Sequence, residues 1–480
     1  MQPDQPSVFI DGRWTAPAGS GRIPVTEAAT GAGLGTVADG DAADVAAAVS
    51  AARRAMAGPW GKTTARERAD AMARFATALQ GSGKDTATLV SRENGMPISL
   101  SAAVNGFAPA HIVSYYADLA RRLDEEELRS GMFGQIVVRS EPVGVVGAIV
   151  PWNYPQAIAA MKLGPALAAG CTVVLKTSPE TSLDAAAFAE AAIAAELPPG
   201  VLNIVSGGRE TGEALVAHPD VDKIAFTGST TAGRAIGEVC GRLLRPVTLE
   251  LGGKSAAIVS EDADLAEFAR GLPSVSLANN GQTCHASTRI LAPATRYDEV
   301  VEVVTETVRN LVVGDPLDKA TQIGPVVSEP QRDRVLGHVE AGRKAGARLT
   351  TGGGVPRDRE QGWFVEPTVF ADVDNATTIA QEEIFGPVLC VIRYDGLDEA
   401  VRLANDSDYG LAGTVWTSDD QHGHEIARRV RTGTIGVNTY NLDVAAPFGG
   451  VKASGLGREM GPEGIQPYLT LKSIYTTARE

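Results

Sequence analysis

Between residues 171 and 251, short apolar runs alternate with stretches of helical pattern, and only a few residues separate each from the next. The apolar runs predict strands at 171–175, 201–205, 223–227 and 247–251. The stretches between them predict helices at 182–197, 210–217 and 231–242. Strands and helices joined by short connections form βαβ units, so this part of the chain is predicted to build a parallel sheet.

Upstream of this segment, a helical pattern runs from Asp41 to Gln80, breaks at Gly58-Pro59 and resumes at Thr64. Another helix is predicted at 102–123 and a strand at 135–139. The strand at 144–150 is nearly all apolar, which is typical of a strand buried on both faces.

Downstream, a second α/β region begins near Gly253, so a boundary between two α/β domains is predicted at about residues 251–254. Its predicted helices are 265–279, 296–311, 329–345, 397–405 and 420–430. The residues from Leu469 to Thr477 alternate between apolar and polar, which predicts a strand.

The 480 residues carry 43 Lys and Arg against 58 Asp and Glu, a net charge of −15. This charge argues against nucleic acid or an anionic membrane surface as a partner. The longest apolar stretch, 142–152, is too short to span a bilayer, and residues 1–12 have no secretory pattern. The four widely separated cysteines form neither a disulfide framework nor a metal-binding pair. We therefore expect a cytoplasmic protein without a metal site.

Three polar residues have sequence surroundings that suit chemistry. Cys284 lies among small, turn-forming residues, where a partly exposed thiolate in a favourable local field is a candidate nucleophile. Glu250 ends an apolar strand; it is either a desolvated general base or an ion-pair partner of Lys254. Asn153 follows a buried strand between two prolines, where it either donates to an oxyanion or forms an Asx-turn.

Two further features suit a nucleotide. The segment from Gly228 to Gly233 joins a predicted strand to a predicted helix, so it is either a phosphate-binding turn or a plain tight turn. Lys176 ends a strand where open α/β sheets bind ligands, and it either holds a ribose or phosphate or is solvated. Glu180 follows it and either binds ribose hydroxyls or caps the next helix.

Together, these segments resemble the NAD(P)-dependent aldehyde dehydrogenase superfamily. Six motifs occur in the order and at the spacing of that family. They are PWNYP from Pro151, FTGST from Phe226, LELGGK from Leu249, GQTC from Gly281, EEIFGP from Glu382 and PFGGVKASGLGRE from Pro447. The match extends from one end of the chain to the other.

The resemblance implies that an aldehyde is oxidised to its carboxylic acid through a thiohemiacetal and a thioester on Cys284. Asn153 and the Cys284 backbone N–H would hold the oxyanion, and Glu250 would activate the hydrolytic water. Lys162 matches a lysine near the site in many members. The alternatives are a CoA-acylating dehydrogenase and a non-catalytic protein on the same fold.

The resemblance also assigns cofactor contacts to matching positions. They are Ile149, Trp152, Lys176, Glu180, Gly208, Gly228, Ser229, Leu251, Glu383 and Phe385. Many members place a glutamate three residues after the lysine, whereas here that position is Pro179 and the carboxylate is Glu180. Because a nearby carboxylate opposes a 2′-phosphate and no arginine replaces it, NAD is the predicted cofactor and NADP the alternative.

The implied fold is a Rossmann-like cofactor domain (residues 1–123 and 143–252) with an α/β catalytic domain (253–440). Small bridging strands (124–142 and 466–480) would build a homodimer or homotetramer. Aligned positions place six residues in the aldehyde tunnel. They are Tyr154, Ala157, Ile158, Met161, Asn441 and Leu442. Most are apolar and none is basic, so a hydrophobic or aromatic aldehyde is the predicted substrate.

Overall fold

A computed structural model of the protein describes residues 4–123 and 125–477. Residues 1–3, 124 and 478–480, which fall within the predicted domain ranges, lie outside the described residues. The strands are β1 (Asp4–Gln5), β2 (Val8–Ile10), β3 (Arg13–Thr15), β4 (Arg22–Thr26), β5 (Gly33–Ala38), β6 (Glu126–Gly131), β7 (Gly134–Pro142), β8 (Val145–Ile149), β9 (Thr172–Thr177), β10 (Leu202–Ser206), β11 (Lys223–Thr227), β12 (Val247–Glu250), β13 (Ala256–Val259), β14 (Arg289–Pro293), β15 (Arg348–Thr351), β16 (Thr368–Ala371), β17 (Val388–Tyr394), β18 (Gly413–Trp416), β19 (Gly436–Val437), β20 (Gly455–Leu456) and β21 (Leu469–Thr477).

The α-helices are α1 (Ala42–Ala57), α2 (Ala65–Asn94), α3 (Ile98–Ser101), α4 (Ala108–Ala120), α5 (Pro155–Ala169), α6 (Ala186–Ala194), α7 (Arg209–Ala217), α8 (Thr230–Arg242), α9 (Leu265–Ser276), α10 (Tyr297–Arg309), α11 (Glu329–Lys344), α12 (Thr378–Gln381), α13 (Leu397–Asn405) and α14 (Asp420–Arg429). No helix within the described residues is both long enough and apolar enough to span a membrane.

The largest sheet has the strand order β20-β12-β11-β8-β9-β10-β2-β3. Its five middle strands, β12 to β10, run parallel. From β10 to β12 they follow the chain order 3-2-1-4-5, so the connections leave β8 in opposite directions and open a crevice between β8 and β11. The predicted α/β class with a parallel sheet is confirmed, because the buried apolar runs became these strands.

The other sheets come from the rest of the chain. A seven-stranded sheet has the order β15-β16-β17-β14-β13-β18-β19, with β15 antiparallel to β16 and every other pair parallel. A three-stranded antiparallel sheet has the order β21-β7-β6, so the strand predicted at 469–477 pairs with β7. Another small sheet contains β1, β5 and β4. Strand β20, from a segment that no predicted domain included, extends the largest sheet.

Local capping explains where the first helices begin. Asp41 caps α1 with a capping box that Asp44 completes, and Thr64 caps α2 with Glu67 in the same way. The predicted break at Gly58-Pro59 lies between them. Helix α2 continues past the predicted end at Gln80 and stops at Asn94, where the next residue has a left-handed backbone.

Three predicted helices differ from the observed ones. The helix predicted at 182–197 spans only Ala186–Ala194, and the N–H of Leu183, which precedes it, donates to the Glu93 carboxylate. The helix predicted at 102–123 opens with π-helical turns at 102–107, next to Pro109, whose missing N–H interrupts the ladder. The helix predicted at 265–279 ends at Ser276.

Helix α5 passes through the core beneath the crevice. All of its residues are buried, and it packs against the large apolar cluster that also contains α2, α4 and β9. Pro155 occupies its first turn and Gly170, at φ +94°, ends it. Because α5 is buried on every side, its side chains are held firmly in place. Lys162 is one of these side chains.

Candidate active site

Two loops meet at the carboxyl edge of the largest sheet, where β8 and β11 diverge. The first follows β8 and contains Asn153 before α5 begins at Pro155. The second follows β11 and contains Gly228 and Ser229 before α8 begins. Ligands of open α/β sheets bind at such a switch point, so these predicted site residues lie where a ligand is expected.

Asn153 is 3% exposed, and its Nδ2 donates to the carbonyl oxygen of Gln282 at 3.0 Å. Its side chain therefore bonds across the crevice, and no Asx-turn forms among the described residues. This bond joins the loop after β8 to the loop that carries Cys284. The hydroxyls of Tyr154 and Thr283 are also within 2.7 Å of each other, which adds a second link between the two loops.

The Cys284 loop turns sharply after α9. Asn279 and Asn280 have φ values of +52° and +61°, and Gly281 has +76°. Asparagine tolerates this left-handed backbone better than most residues, which explains why the predicted helix stops short of Asn279. The turn leaves Cys284 half-buried, whereas Cys171, Cys240 and Cys390 are fully buried.

The local field at Cys284 is the reverse of the expected one. Burial, together with the Glu383 and Glu250 carboxylates, raises the pKa of the Cys284 thiol well above its usual range. The expectation of a field that favours the thiolate was therefore wrong. Cys284 rests as a thiol and has to lose its proton before or during an attack on a carbonyl.

Glu250, at the end of β12, is 2% exposed, and neither of its carboxylate oxygens has a hydrogen-bond partner among the described residues. Burial and the neighbouring Glu459 carboxylate raise its pKa well above 4.5, although Lys162 and Arg458 oppose this. The alternative in which Glu250 pairs with Lys254 is wrong, because the Lys254 ammonium has no hydrogen-bond partner within residues 4–123 and 125–477. A buried carboxylate with a raised pKa is suited to take a proton near neutral pH.

The chain after Glu250 contacts both the cysteine and a second carboxylate. A Cβ on Gly253 would lie 2.3 Å from the Cys284 carbonyl oxygen, and one on Gly252 would lie 2.5 Å from Oε2 of Glu383. The Gly253 N–H also donates to Oε1 of Glu383 at 3.0 Å. The two glycines of the LELGGK motif therefore allow Glu250, Cys284 and Glu383 to surround one space.

Lys162 projects from α5 toward the same region and is 0% exposed. Its Nζ lies 2.5 Å from a carboxylate oxygen of Glu459 and donates to the Thr227 hydroxyl at 2.7 Å. Lys162 thus pairs with Glu459, whose charge in turn bears on Glu250. Glu459 belongs to the PFGGVKASGLGRE motif, but its pairing was not predicted because its partner is 297 residues away.

Lys176 is the second-last residue of β9 and is 7% exposed. Burial lowers its pKa to about 8, while the Glu180 and Asp39 carboxylates oppose this shift. Glu180 lies in a short 3₁₀ turn and accepts a hydrogen bond from the Ser178 hydroxyl. The lysine is therefore buried rather than solvated, and Glu180 lies close to it.

The predicted phosphate-binding turn begins a helix. The Ser229 hydroxyl caps α8 by accepting the Ala232 N–H, which leaves backbone N–H groups of the first turn facing the crevice edge. Gly208 precedes α7, and a Cβ placed on it would meet nothing within 4 Å. Ile149 ends β8 and Leu251 directly follows β12; they are 8% and 5% exposed.

Glu383 and Phe385 face this edge from the second α/β region. Burial raises the pKa of Glu383 to about 7. The Phe385 ring packs edge-on against Trp152, with the ring centroids 5.2 Å apart, and the Phe385 backbone has φ +61°. A bulky residue held in the left-handed region is strained, and such strain is concentrated at functional sites.

Residues 14–474 match the model of the aldehyde dehydrogenase family. The chain belongs to the aldehyde dehydrogenase family. Geranial dehydrogenase of Castellaniella defragrans is 53% identical over 477 residues, and the alignment covers 99% of each chain. Human mitochondrial aldehyde dehydrogenase is 40% identical, over 97% of this chain and 91% of its own. The six motifs predicted an enzyme of the aldehyde dehydrogenase family, and this prediction is thus confirmed.

Solved structures of aldehyde dehydrogenases have the same fold. The crystal structure of Mycobacterium tuberculosis aldehyde dehydrogenase complexed with NAD+ superposes with a TM-score of 0.98 at 48% identity, covering 100% of both chains. An aldehyde dehydrogenase of Pseudomonas syringae complexed with NAD+ and octanal gives a TM-score of 0.94 at 41% identity, covering 98% of this chain and 96% of its own. The likeness spans every sheet of the described structure.

In this aldehyde dehydrogenase, four of the six predicted tunnel residues lie at the start of α5. Ala157, Ile158 and Met161 are 9%, 8% and 7% exposed, and Tyr154 is half-buried. Asn441 and Leu442 lie on a more exposed loop, where the Asn441 amide donates to the Thr439 hydroxyl. The α5 residues form an apolar wall near Cys284, and the two loop residues stand further out.

An aromatic group that was not predicted from the sequence lies beside the candidate nucleophile Cys284. The His285 ring stacks on Tyr440 at 5.0 Å and meets the edge of Phe448 at 6.2 Å. Burial lowers the pKa of His285 to about 4, so its ring is neutral at physiological pH. Its position next to Cys284 was a signal, but stacking with residues more than 150 positions away is not visible in a sequence.

Proposed function

We propose that this aldehyde dehydrogenase oxidises a hydrophobic or aromatic aldehyde to its carboxylic acid, with NAD+ as the oxidant. The observation that carries the proposal is the arrangement of Cys284 and Glu250. The half-buried Cys284 thiol lies close enough to the buried Glu250 carboxylate for that charge to raise the pKa of the thiol, and Glu250 has a raised pKa and no hydrogen-bond partner among the described residues. A nucleophile and a free base around one space are what two-step acyl chemistry needs.

In the first step, the half-buried Cys284 thiol gives its proton to water in the crevice, and its sulfur attacks the aldehyde carbonyl to form a thiohemiacetal. The negative charge that develops on the carbonyl oxygen is stabilised by the Asn153 amide and the Cys284 backbone N–H. The Asn153 amide has two N–H groups, and one is used by Gln282. The other has no acceptor among the described residues, so it is free to donate to the oxygen.

The residues around the crevice fit a dinucleotide. The N-terminal N–H groups of α8 and the open space at Gly208 suit phosphates, and the buried Lys176 ammonium suits a ribose or phosphate. Glu383 and Phe385 suit the nicotinamide ribose and ring. The nicotinamide, when bound, supplies the acceptor for the hydride that leaves the thiohemiacetal.

In the second step, Glu250 takes a proton from water, which then attacks the thioester on Cys284 and releases the carboxylic acid. Glu250 then returns this proton to the leaving Cys284 sulfur, which restores the resting thiol; the buried Lys162–Glu459 pair lies beside Glu250. A free base of this kind favours water over CoA as the acceptor of the acyl group. NAD is preferred to NADP because Glu180 lies near Lys176 and would repel a 2′-phosphate.

An apolar or aromatic substrate fits the lining of the tunnel. Ala157, Ile158 and Met161 offer apolar contacts, and the neutral His285 ring stacked on Tyr440 offers a flat wall. The name of the 53% identical relative, geranial dehydrogenase, indicates the same class of aldehyde. We expect kcat/KM for hexanal or benzaldehyde to exceed that for succinate semialdehyde; the reverse order would contradict this substrate class.

The test is NADH formation at 340 nm by wild type and by Cys284→Ala. The wild type should turn over without CoA, whereas C284A should be inactive and Cys240→Ala, which removes a buried thiol outside the crevice, should keep full activity. Activity that requires CoA would indicate the acylating alternative. A wild type that is inactive toward the whole aldehyde panel, with both NAD and NADP, would indicate the non-catalytic alternative.

A homodimer or homotetramer is also proposed. In the sheet β21-β7-β6, both outer strands are unpaired among the described residues, and several large apolar side chains are exposed. They include Leu128 at 63%, Met132 at 91%, Phe133 at 86%, Leu471 at 72% and Tyr475 at 76%. Exposed edges and apolar patches favour association with another copy. A monomeric mass in analytical ultracentrifugation at micromolar concentration would contradict this proposal.

A further inference from the structure

A buried asparagine from a distant helix lies behind the loop that carries Asn153. Asn94 is the last residue of α2 and is 0% exposed. Its Nδ2 donates to the carbonyl oxygens of Trp152 and Asn153, each at 3.1 Å. Its Oδ1 accepts the backbone N–H of Met96 at 3.0 Å. The side chain therefore has no polar atom to spare, and both of its donors go to one loop.

These two carbonyl groups determine the conformation of Asn153. The carbonyl of Trp152 lies in the peptide plane before the Cα of Asn153, and the carbonyl of Asn153 lies in the plane after it. Peptide planes are rigid, so only φ and ψ of Asn153 set their relative orientation. One planar amide that binds both carbonyls therefore fixes φ and ψ, and with them the direction in which the Asn153 side chain leaves the backbone.

A second amide supports the same carbonyl from the cysteine loop. The Nδ2 of Asn279 donates to the carbonyl oxygen of Asn153 at 2.9 Å. Asn279 has a left-handed backbone, which directs its side chain back toward the loop after β8. Asn153 is thus held by Asn94 from α2 and by Asn279 from the Cys284 loop, while its own amide donates to Gln282.

We infer that Asn94 is a positioning residue that aims the Asn153 amide at the oxyanion. The inference rests on the proposed function, because it requires an oxyanion to form at Cys284. Asn94 does not touch the reacting atoms and acts only through the backbone of Asn153. A misplacement of about 1 Å at a catalytic donor can cost about 100-fold in rate, so an indirect contact of this kind has a measurable effect.

The first experiment compares Asn94→Ala with wild type in three reactions. We expect kcat for aldehyde oxidation, and the rate of cofactor-free hydrolysis of p-nitrophenyl acetate, each to fall about 10- to 100-fold, with both KM values within about twofold. Alkylation of Cys284 by iodoacetamide should proceed at the wild-type rate. That reaction displaces iodide at a saturated carbon and forms no oxyanion, so it reports only on the thiol and its loop.

Asn203→Ala is the matched control. Asn203 is also 0% exposed, donates to the carbonyls of Gly200 and Val173, and accepts the Asp11 N–H, but these groups lie away from the crevice. N203A should lose thermal stability as N94A does and keep wild-type kcat. Asn279→Gly is a second variant, since glycine adopts the left-handed backbone without strain. It removes the other donor to Asn153 and should lower kcat in the same way.

A double-mutant cycle decides whether Asn94 acts through Asn153. In an Asn153→Ala background the oxyanion donor is absent, so adding N94A should change kcat and ester hydrolysis by less than about twofold. An equal loss in both backgrounds would overturn the inference, as would a parallel loss of the alkylation rate or an unchanged kcat in both N94A and N279G. None of these outcomes depends on whether C284A is inactive, so the proposed function is tested separately.

Discussion

The buried polar groups in front of the crevice differ from those behind it. Glu250, at the front, makes no hydrogen bond among the described residues, although it is 2% exposed. Behind the loops, Asn94 and Asn280 are equally buried, and each makes three hydrogen bonds to backbone groups. A buried polar group without a hydrogen-bond partner destabilises the fold, whereas one that makes all its hydrogen bonds is held rigidly. The molecule therefore leaves the group that must exchange protons free and fixes the backbone around it.

Glutamine in place of Glu250 removes the free base at the front, and this is the largest expected effect. We expect Glu250→Gln to lower kcat by about 10²- to 10⁴-fold, because general-base catalysis of water attack is lost. The acylation step does not use this base, so rapid mixing should still show a burst of NADH of about one equivalent per site. Loss of the burst together with steady-state turnover would contradict the assignment of Glu250 to hydrolysis.

The difference between partnered and unpartnered buried groups also predicts unequal effects on stability. Lys162 and Glu459, with side chains 0% and 3% exposed, form a pair that Lys162→Met would break. An uncompensated buried charge costs about 3–5 kcal/mol, so this variant should lose that much free energy of unfolding in urea titrations. Glu250→Gln removes a carboxylate that has no partner to lose, and we expect a change below about 1 kcal/mol.

The exposed pair Arg209–Glu213 provides the control. Its side chains are 88% and 61% exposed, so Arg209→Ala should change the free energy of unfolding by less than about 0.5 kcal/mol. If Lys162→Met and Arg209→Ala had the same small effect on the free energy of unfolding, the Lys162–Glu459 pair would stabilise the fold no more than a surface pair does. The proposed difference between partnered and unpartnered buried groups would then be wrong.

Sequence patterns predicted the groups at the front of the crevice better than those behind it. The runs at β8 to β12 are apolar over consecutive residues, and Cys284 and Glu250 lie within recognisable motifs, so local sequence sufficed. Contacts between residues that are far apart in the chain cannot be predicted from a local sequence pattern. The contact of Asn94 with Asn153 and the addition of β20 to β12 are of this kind.

Electrostatic surroundings were the least predictable property of the site. The pKa of Cys284 is raised first by burial and then by the Glu383 carboxylate, which approaches it from another region of the chain. The small, turn-forming residues next to Cys284 indicated partial exposure, and this holds in the structure. Exposure follows from local composition, whereas the sign of the field depends on which distant charges the fold brings together.

The smallest expected effect at the front of the crevice is the pH dependence that Lys176 gives to cofactor binding. Burial lowers its pKa to about 8, so its charge is present at pH 7 and lost as the pH rises through 8. If this charge holds the cofactor, Kd for NAD measured by calorimetry should rise about tenfold between pH 7 and pH 9. Lys176→Arg, which stays charged, should bind with a Kd that is nearly constant over this range. Lys176→Met should bind about tenfold more weakly at pH 7, also without pH dependence. A wild-type Kd as constant as that of the arginine variant would mean that the buried ammonium contributes no charge to cofactor binding.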